Sequence, residues 1–257
     1  MADAAARTAL VTGSSQGVGR GIALGLAAAG WDVGVNYYRS EQAAQDTAAQ
    51  VRAAGRRAWV WQADVGDGEQ VRAMFAEVRR DPGRLDLLVN NAGVQTWASL
   101  LDLEEKDWDR TIRTNLKGTF LCTQQAARLM REQGGGHIVN IGSGANKVPF
   151  PHLADYCASK GGIENLTRVA AVELGPLGIT VNCVAPGAIE IERTRDESPD
   201  YGRRWGAITP LRRVGLPQDV AHAVVFLASA QGAFVNGQTL YVDGGLFTQT
   251  RWAYEEE

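Results

Sequence analysis

The chain is predicted to fold as a single doubly wound α/β domain, a seven-stranded parallel sheet with helices on both faces. Three observations predict it. Apolar runs of strand length alternate with longer helical patterns along the whole chain. The runs are continuously apolar, as strands buried on both faces must be. A glycine-rich turn joins the first run directly to the first helix.

In order, the strand runs TALVTG, WDVGVNYY and RAWVWQAD are followed by the helical patterns GIALGLAAAG, EQAAQDTAAQVRAAG and EQVRAMFAEVRR. LDLLVNNAG then precedes a helix expected over Trp108 to Gln133, and GHIVNIGS a helix over Asp155 to Leu174. ITVNCVAPG leads to a helix over Gln218 to Ser229, and TLYVDGG closes the sheet. No repeat, low-complexity segment or Pro/Ser-rich linker divides the 257 residues, so one domain spans 1–257. Residues 188–214 break the pattern, being dense in charge and without a clean period. They read as a solvated loop, as short helices, or as a substrate lid beyond a strand's C-terminal end.

Hydrophobic residues at 45% and charged residues at 21% are ordinary for a soluble globular protein, and 30 glycines against 8 prolines suit many tight turns between regular elements. A net charge of −3 with dispersed arginines gives no footprint for nucleic acid. No stretch approaches the length of a membrane span, and the N-terminus does not read as a secretory signal, so a cytoplasmic location is expected. Cys122, Cys157 and Cys183 are too scattered for a disulfide framework or a zinc site and read as reduced packing residues. His137, His152 and His222 lack metal spacing, so no metal is expected.

In TGSSQGVGRG, Gly13, Gly17 and Gly19 let the backbone turn tightly, let a pyrophosphate approach the amides, and let the helix pack on the sheet. Ser15, Gln16 and Val18 of the same turn are counted with them as cofactor contacts. The second strand ends in Asn36, Tyr37 and Tyr38 with no acid to receive an adenosine ribose, and Arg39 follows within reach of a phosphate. NADP(H) is therefore favoured over NAD(H), with Tyr38 and Arg39 at the phosphate; Arg39 also reads as an ordinary helix-start arginine.

Tyr156 and Lys160 stand four apart, so a helix sets them on one face with the ammonium near the phenol. A fixed positive charge favours an ionised phenol, which lets the pair trade a proton with a substrate oxygen. Taken together, TGSSQGVG, NNAG, YCASK and APG, each at a strand end and in this order, resemble the short-chain dehydrogenase/reductase family over nearly the whole chain. The resemblance implies a Rossmann-type NAD(P)-dependent oxidoreductase acting on CH–OH donors. It implies assembly as a homotetramer through the helices around 108–133 and 155–174.

It further implies that Tyr156 is acid or base, that Ser143 bonds the substrate oxygen, and that Lys160 supports the tyrosine and holds the nicotinamide ribose. Asn115 is implied to hold a water that links the lysine to solvent. Asp64 and Val65 are implied at the adenine, Asn91 and Gly93 along the cofactor, and Pro186 and Gly187 beside the nicotinamide. The run NKVPFPHLADYCASKGG is similar to the family's sugar and polyol dehydrogenases, which points to a small polar substrate. The alternative is a 3-oxoacyl-acyl-carrier-protein reductase; against it, Val172 stands where those enzymes carry a basic residue. A module that senses dinucleotide without catalysis is a third reading, disfavoured because all four members of the catalytic set are present. By position, Gln95, Trp97, Asn146, His152, Glu190 and Trp205 are candidates to touch the substrate. Trp252 and Tyr254 in the tail read as packing against a neighbouring subunit.

Overall fold

The computed structural model of the chain describes residues 7–248. The tail with Trp252 and Tyr254 lies outside them. All seven expected strands form: β1 (Thr8–Val11), β2 (Asp32–Tyr37), β3 (Ala58–Gln62), β4 (Leu87–Asn90), β5 (Gly136–Ile141), β6 (Ile179–Pro186) and β7 (Thr239–Val242). Every pairing is parallel, in the order β3-β2-β1-β4-β5-β6-β7. β1 therefore lies between β2 and β4, and the strand order reverses there, which opens a crevice at the C-terminal ends of the strands.

Successive residues of each strand point to opposite faces. Ala9, Val11, Val33, Val35, Leu87 and Val89 pack against α1 (Gly17–Ala28), α2 (Glu41–Ala53) and, near the C-terminus, the helix Pro217–Leu227. Leu10, Leu88, Ile138 and Val181 pack on the other face, against α3 (Gly68–Arg80) and two later helices. Each fully buried leucine or isoleucine contributes about 1.5–3 kcal/mol, so the two apolar layers fix which way the strand ends, and hence the site, must point.

The helix expected from Trp108 begins earlier and is not uniform. It runs as α4 (Glu105–Thr111), a π-helical turn over Ile112–Lys117, and α5 (Gly118–Glu132). Glu105 and Asp107 in its first turn complement the helix dipole, a reason for the earlier start. α6 spans Ala154–Leu174. Residues 188–214 contain two short helices, α7 (Glu192–Glu197) and α8 (Tyr201–Ile208). α9 (Pro217–Leu227) starts on the proline, whose missing N–H is no loss at a first helical position, and stops two residues short of the expected end. No helix among the described residues is long and apolar enough to cross a membrane.

Candidate active site

The glycine turn is built from largely part-buried hydrogen bonds between strand ends. Gly13 has φ +61, and a Cβ there would lie 2.8 Å from Ala92 Cα. A Cβ on Gly19 would lie 2.4 Å from Asn91 Nδ2 and 2.5 Å from Gly13 O. Asn91 Nδ2 donates to Thr12 O (2.9 Å) and Gly13 O (3.1 Å), while its N–H donates to Thr12 Oγ1 (2.9 Å). Asn36 ties in β2 and β3: its Oδ1 accepts from Gly13 N at 3.0 Å, and its Nδ2 donates to Trp61 O and Ala63 O, each at 3.2 Å. Ser15 is buried, with its carbonyl accepting from Thr47 Oγ1 at 3.2 Å. Gln16 caps α1 without a side-chain hydrogen bond and no acid occupies the first turn. The amides there keep the positive end of the helix dipole open to an anion. Val18 packs on the core beneath, and Ile191 Cδ1 stands 3.3 Å from where a Gly17 Cβ would be. This cradle fits a pyrophosphate.

At the end of β2, Tyr38 is half exposed and the Arg39 guanidinium sits 5.0 Å over its ring. No described carboxylate pairs with Arg39. Ser40 follows as the N-cap of α2 with no side-chain cap bond, a polar neighbour for a phosphate that spacing alone did not single out. One strand over, Asp64 is buried and fully engaged: Oδ1 accepts from Gly66 N at 2.9 Å and Oδ2 pairs with Arg113 at 2.8 Å. Val65 beside it is buried against the start of α5. A Cβ on Gly93 would reach Asn115 Oδ1 at 3.3 Å, while Pro186 and Gly187 end β6, the Gly187 N–H donating to Val242 O at 3.0 Å.

Asn115 lies in the π-helical turn, fully buried. Its Oδ1 accepts from Val94 N (2.8 Å), and its Nδ2 donates to Val94 O (2.9 Å) and Ser159 Oγ (3.0 Å). Its carbonyl accepts from Thr119 Oγ1 at 2.7 Å. Ser143 caps the short turn Gly144–Asn146 after β5, with Oγ accepting from Ala145 N at 3.2 Å. Tyr156 is half buried in the first turn of α6, and Lys160 is buried one turn on. Lys160 Nζ lies 5.4 Å from the centre of the Tyr156 ring, on the same side of the helix as the spacing requires, and donates to Ile141 O at 2.7 Å. Among the described residues no hydrogen bond joins Ser143 to Tyr156, and none occupies the Tyr156 hydroxyl.

The profile of the family described as enoyl-(acyl carrier protein) reductase matches residues 13–247. The chain is 43% identical over 241 residues to the 3-oxoacyl-acyl-carrier-protein reductase FabG of Staphylococcus aureus, covering 94% of this chain and 98% of that one. It belongs to the short-chain dehydrogenase/reductase family. Its fold superimposes on a gluconate 5-dehydrogenase from Burkholderia cenocepacia, crystallised with NADP and tartrate, with a TM-score of 0.89 and 39% identity, covering 95% and 96% of the two chains. An acetoin dehydrogenase from Enterobacter cloacae matches with a TM-score of 0.89 and 38% identity, over 99% of this chain and 100% of that one. The protein is thus an oxidoreductase of this family on a Rossmann-type fold.

In this short-chain dehydrogenase/reductase the positional candidates for substrate contact fare unequally. Asn146 does not present a free side chain: its Oδ1 accepts from Ser143 N at 3.2 Å and its Nδ2 faces Cys183 Sγ at 3.9 Å, so it braces Ser143. Glu190 is committed to Arg195 at 2.9 Å. Gln95 is half buried, Trp97 is 67% exposed, and His152 is exposed at φ 65, its carbonyl accepting from Ala98 N at 3.1 Å. Trp205 pairs with Tyr201 on α8, ring centres 6.1 Å apart. Tyr201 was missed. Burial pushes its hydroxyl up to about 12, against the nearby Arg193 and with a smaller rise from Tyr156. Its i, i+4 spacing to Trp205 was the available signal. The three cysteines are free, and burial pushes Cys122 up to about 12 and Cys183 to about 11, as packing thiols require.

Proposed function

We propose that the chain is an NADP(H)-dependent carbonyl reductase or alcohol dehydrogenase that interconverts a small polar ketone and its secondary alcohol. The observation that carries this reading is the Tyr156 hydroxyl, without a hydrogen bond to any described residue, with the Lys160 ammonium 5.4 Å from its ring. NADP(H) supplies or accepts the hydride. Tyr156 gives its proton to the oxygen that gains charge as the carbonyl is reduced, and takes a proton back in the reverse direction. Ser143 donates a second hydrogen bond to that oxygen, Lys160 favours the phenolate and holds the nicotinamide ribose, and Asn115 holds a water between Lys160 and solvent. Gly13 to Gly19 cradle the pyrophosphate, Asp64, Val65, Asn91 and Gly93 line the cofactor, Pro186 and Gly187 flank the nicotinamide, and Tyr38, Arg39 and Ser40 receive the 2′-phosphate. NAD(H) is the weaker alternative. Residues 188–214 act as the lid, with Tyr201 and Trp205 facing substrate.

Support for a hydroxylated or short keto substrate comes from the gluconate and acetoin dehydrogenases among the neighbours. A 3-oxoacyl thioester is the second reading, favoured by the identity to the reductase of Staphylococcus aureus. Against it, Val172 leaves an apolar side chain 77% exposed where a grip on an acidic carrier calls for a cation. A homotetramer is the assembly we expect. On the long helix Phe120 is 45% exposed, an apolar side chain that a second copy of the same helix would cover.

The test follows NADPH and NADH absorbance over a panel of acetoin, diacetyl, 5-ketogluconate and acetoacetyl thioesters. Tyr156→Phe is expected to cut kcat/KM by about 10²–10⁴ while still binding NADPH. Full activity in that variant would end the reading.

A further inference from the structure

Two buried hydrogen bonds join the helix carrying Asn115 to the helix carrying Tyr156 and Lys160. Thr111 Oγ1 donates to Asp155 Oδ2 at 2.6 Å, and Asn115 Nδ2 donates to Ser159 Oγ at 3.0 Å. The members of each helix stand four residues apart, so the two bonds form successive rungs one turn apart. Thr111, Asn115, Asp155 and Ser159 are each 0% exposed.

Both rungs end on the backbone of the tyrosine between them. Asp155 Oδ1 accepts from Tyr156 N at 2.7 Å, and Ser159 Oγ donates to Tyr156 O at 2.7 Å. Asp155 makes no ion pair with a described cation, so a fully buried carboxyl group is held by Thr111 and by the Tyr156 amide alone. Burying such a group costs free energy that an apolar residue would not. Packing alone is therefore a poor reason for its presence.

We propose that Asp155 and Thr111 are positioning residues that set the height of Tyr156 along the crevice relative to Asn115 and the nicotinamide site. The proposal rests on the reading of Tyr156 as proton donor. The tyrosine's N–H and C=O are bonded by Asp155 and Ser159 of its own helix, and Thr111 and Asn115 hold those two side chains from α4 and the π-helical turn, so loosening either rung lets the phenol drift. A displacement of about 1 Å can cost roughly a hundredfold in rate without weakening binding.

The test uses the purified full chain with NADPH and whichever carbonyl of the panel above the wild type reduces. Thr111→Val and Asp155→Ala are each expected to lower kcat about tenfold or more, with KM for both substrates held within about twofold. Thr111→Ser restores the rate. Asp155→Asn keeps kcat within about threefold, since its Oδ1 still accepts from Tyr156 N and its Nδ2 bonds Thr111 Oγ1. The double variant Thr111→Val/Asp155→Ala falls no further than either single one. If Asp155→Ala does not fold, Thr111→Val against Thr111→Ser decides. A Thr111→Val enzyme that melts earlier but turns over like wild type makes the rung purely structural and overturns the proposal. Inactive Tyr156→Phe beside active Thr111→Val sinks the positioning role alone. Active Tyr156→Phe, or a wild type inert on the whole panel, sinks the proton-donor reading and this proposal with it.

Discussion

Around the glycine turn, β1, β2, β3 and β4 are linked by hydrogen bonds from Thr12 and Asn36, each 1% exposed, together with Asn91. Across residues 188–214 a bridge from Ile189 to Gly215 anchors the base, and the side-chain links beyond it are ion pairs facing water: Arg195 to Glu190, Arg203 to Asp200, and Arg213 onward to Asp219. An exposed pair is worth about 0.2–1 kcal/mol, whereas a buried donor or acceptor stripped of its partner costs about 1–3 kcal/mol. The difference teaches that the two halves of one site answer to different pressures. The glycine turn is held by bonds that are costly to lose, and the segment proposed as the lid by exposed pairs that are cheap to exchange.

The sharpest way to break this contrast is Gly19→Ala. Its Cβ would fall 2.4 Å from Asn91 Nδ2 and 2.5 Å from Gly13 O, both rigidly held. We expect a stability loss of about 1–3 kcal/mol, seen as a lower Tm, together with weakened NADPH binding by fluorescence titration. Arg39→Ala acts at the edge of the same half: NADPH should bind roughly tenfold more weakly, the loss of one charge-assisted contact, while NADH affinity stays put. An unchanged NADPH affinity would remove Arg39 from the phosphate site. Trp205→Ala probes the loose half. It should raise KM for the carbonyl a few-fold, about the worth of one aromatic pair, and leave NADPH binding and Tm nearly untouched.

The smallest effect lies outside both regions. Burial, with Arg7 nearby, holds His137 below its ordinary range, while its Nδ1 bonds Thr180 Oγ1 at 2.8 Å. The unfolded chain therefore takes up a proton more readily than the folded one. The stability contributed by the neutral ring is complete above about pH 6.5 and drains away as pH falls through that value toward the folded pKa. Tm measured from about pH 8 to pH 5 should drop less in His137→Asn than in wild type.

The contrast also explains what could be read without coordinates. The inner strands were legible because burial on both faces leaves runs dominated by apolar residues such as TALV and LLVN, and the half-exposed edge strands β3 and β7 were legible from their place in the strand–helix alternation. The glycine turn and the Tyr156–Lys160 spacing were legible because each is a local pattern with a local physical cause. For Asn146 the order of residues could suggest a place beyond β5 but not its bonds to Ser143 N and Cys183. Asp155 and Ser159 went unnoticed because their partners are 44 residues away along the chain. Within 188–214 charge masked the helical pattern, although Tyr201 and Trp205 do share a face.

The π-helical turn at Ile112–Lys117 has its own consequence. A wider turn takes in about one residue more than an α-turn, which rotates everything after it by roughly 100°. Thr111 and Asn115 can thereby look toward α6 while Cys122, Ala126 and Met130 on the same continuous rod look toward the sheet. The inserted residue works as a phase shifter, letting one helix serve the chemistry at its front and the architecture at its back. A single-residue deletion there would force those two orientations into one.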